Sequence, residues 1–138
     1  MNYKTIITQL YFLLIHADGS VNEREIAVGK QMVSTEGLNE EEFNASLESL
    51  KSRDTVKLYR DLVKGMQALN RKMQIRAVGW LCVLANADGF MDKAEWQFIY
   101  KVYHRELNLP LEEIMKVQSE LIRLTQRQRT ILTLNHAA

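Results

Sequence analysis

The sequence predicts an all-α protein: a compact bundle of about seven helices built from two pseudo-symmetric helix-corner-helix-turn-helix repeats. Three observations predict it. One proline and six glycines in 138 residues are too few for a turn-rich β fold. Apolar residues recur at helical spacing, and no run alternates convincingly enough to read as a strand. Ala-Asp-Gly occurs at 17–19 and again at 87–89, each time with a Glu seven positions after the Asp.

Each element follows from periodicity and punctuation. Residues 3–17 form a first helix, ended by Gly19, and residues 23–36 a second, ended by Gly37. A third covers 40–51, with Asn39 as N-cap and Glu42 three positions on. A fourth covers 55–69 after the cap Asp54, with Leu58, Leu62, Met66 and Leu69 on one face. A fifth covers about 71–87 behind the cap Asn70, and a sixth 93–107. Pro110 begins a seventh, 110 to about 126, in a first turn where its missing N–H costs nothing. Residues 127–138 either extend that helix or pack as a tail.

Aligning Asp18 with Asp88 gives an offset of 70. Leu13, Leu14 and Ala17 then face Val83, Leu84 and Ala87, while Asn22, Glu25, Ile26 and Val28 face Asp92, Glu95, Trp96 and Phe98. With one extra residue in the second copy, Leu38, Glu41, Glu42 and Phe43 face Leu109, Glu112, Glu113 and Ile114. The expected organisation is one domain over 1–138, with a first repeat at about 3–51, a connecting helix at 55–69 and a second repeat at about 71–126. Two copies are too few for a solenoid.

Composition narrows the function. Apolar residues make up 46% and charged residues 25%, which suits a soluble core. The net charge of +1 gives no whole-chain field toward nucleic acid or an anionic membrane. The apolar stretch at 10–15 is too short to span a bilayer, and its counterpart at 78–85 lies mid-chain, so both read as buried helices. A cytoplasmic protein without a transmembrane segment is expected. The single Cys82 allows neither an internal disulfide nor a multi-cysteine zinc site, and its apolar neighbours place it in the core. His16, His104 and His136 form no ligand-spaced pair, and there is no phosphate-cradling glycine loop or G-x-S-x-G, so no enzyme is expected.

Most of the repeated corner is explained by helix capping. Gly19 and Gly89 close helices in the left-handed conformation that glycine adopts without a Cβ penalty. Asn22 and Asp92 are N-caps, with Glu25 and Glu95 at the third helical position of a capping box. Val21 and Met91 precede the caps, and Ile26 and Trp96 occupy the matching positions of a hydrophobic staple. An EF-hand does not fit. With Gly19 or Gly89 at loop position 6, the first ligand position falls on Leu14 or Leu84, and leucine cannot coordinate a cation.

Capping does not explain Asp18 and Asp88. An acid at a helix C-terminus faces the negative end of the dipole, and here it does so twice. Either each bonds backbone N–H groups within its corner, or Asp18, Glu25, Asp88, Asp92 and Glu95 present carboxylates to a divalent cation such as Ca²⁺ or Mg²⁺.

The stretches Ala17-Asp18-Gly19-Ser20-Val21-Asn22-Glu23-Arg24-Glu25 and Ala87-Asp88-Gly89-Phe90-Met91-Asp92-Lys93-Ala94-Glu95, given twice in an all-helical chain, resemble the TerB-like family of tellurite-resistance and related bacterial domains. The resemblance covers about residues 5–125. It implies a bundle of about seven helices with both acidic corners on one side. It also implies a non-enzymatic role in bacterial stress responses, through a protein partner that can lie at the cytoplasmic membrane face. A related domain is fused to a membrane-anchored DnaJ-type co-chaperone. The metal binding proposed for the family falls on Asp18, Glu25, Asp88 and Glu95, with Asp92 as a further candidate. This chain departs in carrying Asn22 where the second copy has Asp92. The competing reading is a metal-free interaction scaffold, such as a co-chaperone-type or membrane-complex adaptor, whose corners are only caps.

Two further surfaces stand out. Trp96, Tyr100 and Tyr103 share a helical face and read either as core or as a partner-binding patch. Basic residues gather from Lys51 to Arg76, with a smaller group at Arg123, Arg127 and Arg129. Interleaved Asp54 and Asp61 make the first group a solvated face rather than a nucleic-acid site.

Overall fold

The computed structural model describes residues 1–17, 19–87, 89 and 92–137, with side chains as far as Arg127. In order, α1 is Tyr3–Ile15, α2 Glu23–Thr35, α3 Glu40–Leu50, α4 Thr55–Ala68, α5 Arg71–Ala85, α6 Lys93–Tyr100 and α7 Leu111–Ala137. There is no strand among the described residues.

The helices start where their caps dictate. From α1 to α6 every N-cap is Asn or Asp: Asn2, Asn22, Asn39, Asp54, Asn70 and Asp92. Each side chain accepts a hydrogen bond from a backbone N–H of the first turn, contributing ~1 kcal/mol apiece. Pro110 stands one position earlier than expected. It precedes α7, and its carbonyl accepts the first helical bond, from Ile114 N at 3.3 Å. The backbone of α7 stays helical to Ala137, so residues 127–137 extend the helix.

The expected sixth helix changes character part-way. After Tyr100 the chain winds as a π-helix over Lys101–Glu106. The wider turn shifts the register, so adjacent Val102 and Tyr103 both reach the core. Asn108, at φ 49°, then reverses the chain, and Leu109 N bonds back to Tyr103 O at 2.8 Å.

The core centres on α1 and α5. Both are apolar on nearly every face, which is why α5 buries each residue from Ala77 to Ala85. Fully burying each large side chain there contributes about 1.5–3 kcal/mol. Helix α1 packs on α3 and α5 on α7, while α2 lies against α5 and α6 against α1. The predicted face of α4 is buried through Leu58, Leu62 and Met66, with Leu69 packed at its edge. Two glycines mark close approaches between helices. A Cβ on Gly29 of α2 would sit 2.6 Å from the Tyr11 ring, and one on Gly79 of α5 would sit 3.0 Å from Val117 Cγ1.

One polar network ties the end of α2 to α5. Glu36 Oε1, at the end of α2, accepts from Arg76 Nε at 2.7 Å and from the buried Trp80 indole N–H at 2.6 Å. Tyr3 of α1 lies close enough that, after burial, the Glu36 charge raises its pKa further. Among the described residues, no helix is long and apolar enough to cross a membrane.

Candidate functional site

The first corner begins where α1 ends at His16. Ala17 N bonds Leu14 O at 3.1 Å and Gly19 N bonds His16 O at 3.1 Å, with Gly19 at φ 82°. Asn22 then caps α2, its Oδ1 accepting from Glu25 N at 2.8 Å. Its amide Nδ2 donates to Glu25 Oε1, so cap and glutamate hold each other through their side chains.

The second corner repeats the local pattern. Ala87 N bonds Leu84 O at 3.2 Å, Gly89 N bonds Asn86 O at 2.9 Å, and Gly89 stands at φ 79°. Asp92 Oδ1 accepts from Ala94 N at 2.8 Å and Glu95 N at 3.4 Å. The Asn86 amide closes the end of α5 by donating to Cys82 O at 3.0 Å.

Both glutamates are buried, Glu25 at 3% exposed and Glu95 at 4%. Carboxylates are rarely that buried unless partnered, and neither glutamate is without an interaction. Their place in the first turn sets each against the positive end of a helix dipole. Glu25 is felt by Tyr11, whose hydroxyl approaches Glu25 O at 3.5 Å; burial first, then the Glu25 charge, pushes its pKa up to about 12.

Of the expected acidic set, Glu25, Asp92 and Glu95 are therefore fixed at helix N-termini. Asp18, Asp88 and the staple residue Met91 lie outside the described residues. Among the described residues, no three His, Cys, Asp or Glu side chains are grouped to hold an ion. The donors are nonetheless hard oxygens of the kind Ca²⁺ and Mg²⁺ prefer. At the first corner a cation would compete with the Asn22 amide for Glu25 Oε1.

The aromatic face divides. Trp96 and Tyr100 are 38% and 37% exposed, whereas Tyr103 is a core residue at 5%. Tyr103 supports both from beneath, with ring centroids 6.3 Å from Trp96 and 5.6 Å from Tyr100. His104 stacks on Tyr100 at 4.7 Å, extending the face by one ring. His16 is exposed and packs against Phe12 instead. Cys82 is buried and free, its thiol pushed up to about 12 by burial.

Sequence reading missed the Glu36 network, although a signal existed: a Trp in an apolar run needs an acceptor for its indole N–H. It also left the His104 stack unseen, because the π turn that aligns it has no pattern of its own.

The family comparison agrees with this geometry. Residues 5–129 match the family described as tellurite resistance protein TerB. The chain belongs to the TerB family. The match spans both corners and all seven helices of this TerB domain, as far as the middle of α7. Comparisons with curated proteins and with solved structures returned no match.

Proposed function

We propose that this TerB domain is a non-enzymatic, cytoplasmic binding module of a bacterial stress response. Its acidic corners take a divalent cation, Ca²⁺ or Mg²⁺, a protein partner, or both. The observation that carries this reading is the pair of buried glutamates, Glu25 and Glu95, each held in a first helical turn beside an Ala-Asp-Gly corner. The corner helices are cross-packed, α1 on α5 and α6 and α2 on α5, which supports a joint role for the two corners. Asp18 and Asp88 complete the proposed donor set.

Thermal melting of chelator-stripped protein tests it. A ligand at 100 times its dissociation constant adds ~2.7 kcal/mol, a shift of several degrees for a domain of this size. That shift is expected with millimolar Ca²⁺ or Mg²⁺ and is lost in Asp18→Asn/Asp88→Asn.

A second reading rests on the exposed Trp96 and Tyr100 above the buried Tyr103. A metal-free scaffold would use these rings as partner anchors. It predicts that Trp96→Ala abolishes partner capture while chelation leaves it intact.

A further inference from the structure

A groove of about 640 Å³ runs between α1, α2 and α3, beside the first corner. Its floor is Phe12 and Ile15 of α1, and its walls carry Ile26 and Val33 from α2 and Phe43 and Leu47 from α3. Ile26 is 42% exposed, and Val21, at the mouth, equally so. The rims are charged with opposite bias. Lys30 lies on the α2 side, and Glu40 and Glu48 on the α3 side, where Glu48 also pairs with Lys51 at 2.9 Å.

Shape and charge select the occupant. The walls are helices of 13 and 11 residues, about 16–20 Å long at 1.5 Å per residue, the length of a three-turn helix. An apolar trough with helical walls takes the apolar face of an amphipathic helix. With Glu48 paired to Lys51 on the α3 rim, the Glu40 carboxylate is left to attract a basic flank, opposite Lys30 on the α2 rim.

We propose that this groove docks an amphipathic helix of a partner protein, about three turns long, with its basic flank along α3 and an acidic residue toward Lys30. The acidic corners are not required for it.

The test uses the full chain and a fluorescein-labelled peptide of about 14 residues, with Leu at i, i+3, i+4 and i+7, Lys along one flank and Glu along the other. Saturable anisotropy is expected. Ile26→Glu should weaken binding at least about tenfold, and Glu40→Lys/Glu48→Lys should weaken it and favour the charge-mirrored peptide instead. All three positions are exposed, so circular dichroism should show folded variants. No saturable binding, or equal binding by Ile26→Glu, would overturn the proposal. A dimer in light scattering that Ile26→Glu dissociates would make a second copy the occupant. Oleate binding that the same variant removes, without peptide binding, would make it an acyl chain. Either result also overturns it.

Discussion

At the residue scale, the corners show one sequence pattern carrying two tasks. Asn22 and Asp92 cap, and Glu25 and Glu95 are drawn inward behind them. The caps were legible because Asn or Asp before an apolar-periodic run has a fixed physical meaning. The depth of burial was not, because an N3 glutamate is ordinarily solvated. Glu36 is the opposite case: before Gly37 it read only as a helix end, yet it receives both Arg76 and Trp80 on one oxygen. Glu36→Ala leaves a buried indole N–H unpaired, so a loss of about 2 kcal/mol is expected in urea unfolding. Glu36→Gln should recover part of it, since an amide oxygen still accepts the indole hydrogen bond.

At the element scale, the six helix starts followed from side chains, while the π turn after α6 followed from tertiary packing. Nothing in Lys101–Glu106 announces the wider turn, which accompanies the burial of Val102 beside Tyr103. Gly29 was equally silent, because its reason is a ring on another helix. In Gly29→Ala the gain in helix propensity, at most about 1 kcal/mol, is outweighed by overpacking against Tyr11, which typically costs about 1–3 kcal/mol. Calorimetry should therefore show a lower Tm. Helix α3 is held lightly: only Phe43 and Leu50 are buried, whereas α5 is buried almost throughout. Hydrogen exchange should open residues 44–50 well before residues 75–85.

At the scale of the whole molecule, the all-α class was legible because α1 and α5 are long, apolar and bounded by caps, and TerB membership agrees with it. Burial sets the response to alkali. Cys82 rises from its ordinary value of 9.0 to about 12, and Tyr11 from 10.0 to about 12, because the core disfavours their anions. The unfolded chain ionises first, so their contribution to stability is intact below about pH 9 and is lost as pH rises toward 12. The denaturation midpoint should fall over that range, less steeply in Tyr11→Phe.

The central claim is that the acidic corners bind a divalent cation, and isothermal titration calorimetry of chelator-stripped protein with Ca²⁺ and Mg²⁺ tests it most directly. The comparison is Glu25→Gln/Glu95→Gln, which removes both charges while an amide oxygen remains to accept from the Asn22 side chain. The account predicts saturable binding in the parent and none in the folded variant. No binding in the parent, or binding unchanged in the variant, would contradict it and leave the corners as caps.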